Sequence, residues 1–280
     1  MIPNIAHFIF STSPKFGGKP FTICHYLAIK SVSVLNKPRK IFFHYQYEPE
    51  GEWWEKIKPL VTLNKIVLPE TVHGKPLLHM AHQADVVRLD ALYETGGVYM
   101  DLDTISVKPY DHLLQHDLVM GLQYWGPVFY NKTDKLAYNV KKTLLRPFVK
   151  LRSPGIRGLA NTVIFSRPKS RFIELWRKEY KNFRGGLEDL YWDEHAVRVP
   201  YAIAKQHPDL ITILKPESFY LPFYDAKGLK LMFEKVHPFP EAIIHHLWQN
   251  VSWERYGKEL TLEKIKTKDT TYNLIARRYL

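Results

Sequence analysis

Asp101 and Asp103 stand at i and i+2, directly after the apolar run Val98-Tyr99-Met100. Two carboxylates on one side of a strand repel each other and call for a cation or a hydrogen-bonded partner. Carboxylate oxygens suit Mg²⁺ or Mn²⁺, ions that keep positions open for the phosphates of a ligand. A nucleotide diphosphate bridged by such an ion is the natural occupant. Upstream, Asp85, Arg88 and Leu92 lie at i, i+3 and i+7, so an acid and a guanidinium come from one helix face. An isolated Asp-x-Asp recurs by chance and also describes the start of a solvated loop, with Asp85 and Arg88 as a surface pair. The arrangement of the whole segment from Ala84 to Asp103 favours the site.

The elements that must position these groups follow from hydrophobic period. A helix is expected over residues 77–94, with Ala84, Val87 and Ala91 at the spacing of a buried stripe. Gly96-Gly97 then supplies positive φ, a stop that turns the chain straight into a strand. In that strand the period of two predicts a core face of Val98, Met100 and Leu102 and a polar face of Tyr99, Asp101 and Asp103. Further strands are expected over 5–10, 40–45, 65–68, 118–122, 162–165 and 210–214. Helices are expected over 22–34, 53–57, 169–182 and 193–205, while the aromatic and basic tail after Pro238 has no clear period. The alternation predicts an α/β fold, a Rossmann-like sheet with helices on both faces and ligands at the strand ends.

The 280 residues, 45% of them hydrophobic, suffice for one large core, and no repeat, low-complexity tract or long linker divides them. A single domain is expected, with residues 1–125 as the nucleotide-binding half and 126–280 as the acceptor-side half with a C-terminal element. Cys24 is the one cysteine, so no intramolecular disulfide forms and a reducing, cytoplasmic compartment is the economical expectation. The opening MIPNIAHFIF reads as a core strand rather than a signal peptide, and no run is long enough to span a membrane. The sequons at Asn131 and Asn250 matter only in a secretory lumen. Forty Lys and Arg against 28 Asp and Glu give a net charge of +12, spread along the chain. That predicts attraction to anions without choosing among nucleotides, phosphosugars, lipid headgroups and nucleic acid.

The segment from Ala84 to Asp103 resembles the sugar-binding region of family 32 glycosyltransferases: a small residue, Asp, two apolar residues, Arg, a helix end at Gly-Gly, Tyr, then Asp-x-Asp. The opening Ile2-Pro3-Asn4-Ile5-Ala6-His7-Phe8-Ile9-Phe10 resembles the first strand of that family. The stretch from Ala242 to Trp248, with Ser252-Trp253, resembles its C-terminal His and Ser-Trp element. The family is related to the glycosyltransferase domains of large glucosylating toxins and to α-1,4-glycosyltransferases.

The resemblance implies a GT-A fold, a UDP- or GDP-sugar donor and Mn²⁺ or Mg²⁺. Asp103 would bind the ion directly, Asp101 would reach the ribose or sugar and the ion through water, and Asp85 and Arg88 would bond donor hydroxyls. Tyr99 either lines the nucleotide pocket or is a half-buried strand aromatic. Phe10 stands where relatives place a base-stacking Trp, and is otherwise a core ring. His246 matches a histidine near the metal, although a lone His is more often structural. Ser252 and Trp253 would cap the leaving diphosphate, with Trp253 equally a core residue. Asn161 is the polar candidate on the acceptor-side strand. Asp193 either caps a helix or faces the acceptor cleft, and Val199-Pro200 replaces the Gly-Pro common in relatives.

The implied reaction is transfer with retention of anomeric configuration, with charge on the departing diphosphate stabilised by the ion and by donors. The implied acceptor is a glycan or a lipid-linked saccharide, which aromatic segments such as Tyr220 to Tyr224 suit. Residues 272–280 are either a basic amphipathic element touching an anionic membrane or a helix packed on the domain. Two other classes share some of these features: a metal-dependent phosphohydrolase or nuclease, and a nucleic-acid-binding module. The first usually gathers more ligands around its ion, and the second leaves the aspartate pair unexplained, so no nucleic-acid partner is expected.

Overall fold

The computed structural model describes residues 1–10, 19–125, 132–145, 155–186 and 190–280, so the sequon residue Asn131 lies outside the described residues. β1 (Ile5–Phe10), α1 (Ile23–Asn36), β2 (Lys40–Tyr45), α2 (Glu52–Ile57) and β3 (Thr62–Lys65) carry the chain through parallel pairings in one direction. A hairpin of β4 (Thr71–Val72) and β5 (Lys75–Pro76) follows. Helix α3 (Met80–Thr95) then returns the chain to β6 (Gly97–Met100), parallel to β1 on its other side. The direction of winding thus reverses between β1 and β6, the place where open α/β sheets bind ligands beyond their strand ends. Asp101 leaves β6 there.

The remaining elements are β7 (Thr104–Ser106), β8 (Leu118–Trp125), α4 (Lys132–Leu145), β9 (Gly155–Ser166), α5 (Arg171–Glu179), α6 (Val199–Gln206), β10 (Thr212–Leu214), α7 (Ala226–Phe233), β11 (Ile244–His246), α8 (Gln249–Ser252), α9 (Leu262–Thr267) and α10 (Thr271–Ala276). The main sheet has seven strands in the order β10-β8-β9-β6-β1-β2-β3, and β9 runs antiparallel to both of its neighbours. The fold is therefore a mixed α/β sheet flanked by helices, as expected. A separate antiparallel pair joins β7 to β11.

Three apolar clusters form the core. On one sheet face Phe8, Phe43, Val98, Met100 and Phe165 pack together. On the other, Leu89 and Leu92 of α3 meet Tyr99, Ile164 and Trp176. In the third, Ile23, Cys24 and Leu27 of α1 meet Ile105, Leu247, Tyr272, Ala276 and Tyr279, so the C-terminal segment is held on α1. The Tyr279 hydroxyl donates to Ser106 O at 2.7 Å, and Arg277 donates to Ile265 O at 2.6 Å. The tail is the packed element of the two expected, not a free amphipathic one. Among the described residues no helix is long and apolar enough to cross a membrane.

Several sequence expectations need correction. The strand placed at 65–68 lies at Thr62–Lys65, where an edge strand alternates between exposed and half-buried residues, and the more apolar Val67 beyond it is 87% exposed. All four residues of β6 are buried, because helices cover both faces of this central strand; it has no polar face, and Asp101 and Asp103 lie in the turn after it. On α3 the buried residues are His82, Ala84, Asp85, Arg88, Leu89 and Leu92, while Val87 and Ala91 are only half-buried. The charged pair is on the inner face. The helix expected over 193–205 is divided into a wider turn at Glu194–Arg198 and α6, with Pro200 in the first turn of α6.

The α3–β6 junction is as tight as its two glycines suggest. Gly96 has φ +64 and Gly97 φ +114; a Cβ would fall 2.6 Å from the Pro168 ring at the first and 2.5 Å from Ile5 O at the second. On its other side Gly96 O accepts from His7 Nε2 at 2.9 Å.

Candidate metal and donor site

The turn after β6 is fixed from both sides. The Asp101 N–H bonds to Thr162 O of β9 at 2.9 Å, and the Thr104 hydroxyl closes the turn on Asp101 O at 2.8 Å. Pairing of β7 with β11 sets His246 opposite Thr104, and Leu247 N–H bonds to Asp103 O at 2.7 Å. A chain segment 143 residues away is thereby brought to the aspartates, with His246 Nε2 at 3.2 Å from Asp103 Oδ2. The next turn begins at Trp248, whose φ of +54 is a strained value for a bulky residue. It aims the Gln249 N–H at Asp103 Oδ2, 2.7 Å away.

One ligand atom from each of Asp101, Asp103 and His246 lies within 4.8 Å of the others, and all three residues are half-buried. Two carboxylate oxygens and one imidazole nitrogen make a donor set that fits a divalent cation such as Mn²⁺ or Mg²⁺. The two carboxyls are shifted in opposite directions. Burial and the neighbouring Asp103 charge push Asp101 above the usual carboxylate range, against the pull of Arg88 and the Tyr99 hydroxyl. Burial also works on Asp103, but His246 and the Gln249 N–H outweigh it and bring that carboxyl down to about 2. Asp103 is therefore an anion at neutral pH.

Behind this cluster lies a buried polar network. Arg88 reaches Asn161 O at 2.7 Å, Asp85 Oδ1 at 3.1 Å and Asp101 Oδ1 at 3.4 Å, and its guanidinium lies 4.3 Å from the Tyr99 ring centroid. The Asn161 amide donates to Asp85 Oδ1 at 2.7 Å, and the Tyr99 hydroxyl donates to Asp101 Oδ1 at 2.6 Å. Asp85 is 4% and Arg88 5% exposed, so these groups meet one another before they meet any ligand. Tyr99, 2% exposed, shapes the site from below rather than lining an open pocket.

Other candidates fall elsewhere. Phe10 is fully buried, its ring 6.0 Å from Phe21 and from Phe43, which makes it the core ring of the two alternatives and leaves no free face for a base. The Ser252 hydroxyl donates to Leu247 O at 2.7 Å and stabilises the local turn, where a cap for a diphosphate was expected. Trp253 is half-buried. Asp193 makes no side-chain cap; it is bonded to Arg157 of β9 and lies 3.3 Å from Arg198. Tyr220 donates to Ala160 O at 2.8 Å, and Phe223 packs on Trp248, so much of that aromatic segment is core.

Sequence reasoning missed Gln249, which lies one residue past the His-x-Trp element and whose role is carried by its backbone. It missed His25, whose Nε2 is 3.2 Å from Gln249 Oε1 and whose only signal was its place in the first turn of α1. Lys19, attracted by Asp103, carried no signal at all.

Residues 31–120, which include Asp85, Arg88, Tyr99, Asp101 and Asp103, match the family described as "Glycosyltransferase sugar-binding region containing DXD motif". Over 286 residues the chain is 30% identical to the protein named Glucan organizing enzyme 1 of Cryptococcus neoformans var. grubii serotype A, an alignment covering 100% of this chain and 71% of that protein. Two solved structures are similar at greater distance. PaToxG glycosyltransferase has a TM-score of 0.45 and 14% identity, covering 99% of this chain and 87% of that one. Mouse xyloside xylosyltransferase 1 in its apo form has a TM-score of 0.47 and 13% identity, covering 88% of this chain and 98% of that one. At that distance neither bears on the roles of individual residues.

Proposed function

The chain belongs to the glycosyltransferases that carry a DXD-containing sugar-binding region, and from that membership we propose that it moves a hexose-type sugar from a UDP- or GDP-linked donor to a hydroxyl of a glycan or glycolipid. The observation that carries this reading is the convergence of Asp101, Asp103 and His246 beyond the end of β6, beside the buried Asp85, Arg88 and Asn161. The name of the fungal relative makes a glucan the first acceptor to test.

In this reading Asp101, Asp103 and His246 hold Mn²⁺ or Mg²⁺, which when bound supplies charge stabilisation for the donor diphosphate. Asp103 is kept ionised by His246 and Gln249, while Tyr99 and Arg88 fix the rotamer of Asp101. Asp85 and Arg88 form the floor on which donor sugar hydroxyls are oriented, and Asn161 holds both in place from β9. The residues of this chain thus bind and orient, and nothing in the arrangement calls for a covalent enzyme nucleophile. Retention of anomeric configuration is part of the proposal and rests on the resemblance of the central segment.

The test incubates the protein with Mn²⁺ and a panel of UDP- and GDP-sugars, following donor hydrolysis and the shift in melting temperature. At least one donor is expected to stabilise the protein and to turn over. Stabilisation by none, with cleavage of DNA or RNA instead, overturns the reading in favour of a nuclease.

A further inference from the structure

We propose that Lys19 is a phosphate-binding residue of the donor site, its ammonium group bonding the distal phosphate of the nucleoside diphosphate. This rests on the donor reading above and adds to it a residue from the stretch between β1 and α1.

Lys19 is half-buried, and its Nζ lies 5.9 Å from the ring centroid of Trp253. Asp103 and Glu254 attract it through space, and its charge is felt at His25, whose ring bonds Gln249, the residue that in turn donates to Asp103. It therefore stands on the α1 and α8 side of the carboxylate cluster. None of the described residues holds its Nζ in a hydrogen bond or ion pair. Lysines usually extend their charge into water, or pair it when they are buried. Lys19 does neither. Lys19 is half-buried and has no such partner among the described residues, on the α8 side from which Gln249 donates to the carboxylate that, in the donor reading, faces the diphosphate.

A compact ammonium of this kind suits phosphate oxygens, which it meets as a point charge rather than through a planar fork. Trp253 acquires a part as well, since an aromatic face beside the ammonium limits where the cation can go. A lysine that served only to offset the charges of Asp103 and Glu254 would act on the apo protein and on cation affinity. It would not distinguish one phosphate from two.

The experiment measures the affinity of the Mn²⁺-loaded protein for UDP, UMP, GDP and GMP by calorimetry, in the wild type, Lys19→Met and Lys19→Arg, with thermal melts to confirm folding. For the diphosphate that the wild type binds, Lys19→Met is expected to weaken affinity by about tenfold or more, as loss of one charge-assisted bond implies. The matching monophosphate is expected to lose little, and Lys19→Arg to recover most of the affinity. Unchanged diphosphate affinity in Lys19→Met, or equal losses for diphosphate and monophosphate, overturns the assignment while leaving the donor reading intact. Failure of the wild type to bind any of the four nucleotides sinks the donor reading and this proposal together.

Discussion

Asp85 and Asn161, 76 residues apart in the chain, are joined by a 2.7 Å hydrogen bond that clamps helix α3 to strand β9. Asn161 donates its amide to the carboxylate and offers its backbone carbonyl to Arg88, so one residue serves both members of a buried ion pair. Removing the amide as Asn161→Ala leaves a buried carboxylate one bond short and is expected to cost about 1–3 kcal/mol, read from the urea midpoint. Asn161→Asp is expected to cost more at neutral pH, because it sets a second carboxylate against the first. Stability equal to wild type in both variants would show that the clamp contributes nothing.

Arg88 faces three acceptors, from Asp85, Asp101 and Asn161. Its removal as Arg88→Ala leaves Asp85 buried without a counter-charge, a change that costs about 3–5 kcal/mol in comparable buried pairs. Arg88→Lys is expected to fall between the two, since an ammonium cannot reach partners on three elements from one point. Chemical denaturation of the three proteins ranks them.

Gly96 and Gly97 make a third prediction. Both have positive φ, and a Cβ at either meets Pro168 or Ile5 O at 2.6 and 2.5 Å respectively. Gly96→Ala and Gly97→Ala are each expected to lower the melting temperature by several degrees, well beyond the effect of alanine at an exposed glycine such as Gly155, which lacks positive φ and has nothing within 4 Å.

The local part of this architecture was legible in the sequence because it follows from neighbours in the chain. The existence of α3, the glycine stop and the strand after it follow from the residues between Ala84 and Met100, and the expected bounds of β2 are the observed ones. What escaped was set by contacts between distant residues. The inner face of α3 was assigned to Ala84, Val87 and Ala91 because burial of a charged pair is visible only once Asn161 and Tyr99 are known to lie opposite. Phe10 became a core ring because Phe21 and Phe43 enclose it. The β7–β11 pairing, which brings His246 to Asp103, joins two three-residue strands too short to show a period.

Buried histidines make stability depend on pH. Burial pushes His7, His25 and His245 down from 6.5 to about 4, and burial with the adjacent His7 takes His44 to about 3. The unfolded chain takes up protons at these sites near pH 6.5, whereas the folded chain does not until near pH 4. The stability they confer is therefore complete above pH 6.5 and is lost as pH falls toward 4, at about 1.4 kcal/mol per pH unit for each histidine. His7 and His44 form one hydrogen-bonded pair at 3.0 Å, with Asn64 on the outer nitrogen and Gly96 O at the inner end, so protonation strikes at the α3–β6 junction itself. Urea midpoints measured from about pH 7.5 to about pH 4.5 are expected to fall with a slope of more than one proton. A flat profile would contradict neutral burial.

Whether Asp101, Asp103 and His246 hold the cation used with the donor is read from Mn²⁺ binding followed by electron paramagnetic resonance. The protein would be titrated with Mn²⁺ in the presence of the diphosphate it binds, as wild type, Asp103→Asn and His246→Ala, with folding verified for each. Asp103→Asn keeps an acceptor for the Gln249 N–H while removing the charge. One tightly held Mn²⁺ is expected in the wild type, with loss of that ion in Asp103→Asn and weaker binding in His246→Ala. Mn²⁺ bound equally well by all three folded proteins would contradict this ligand set.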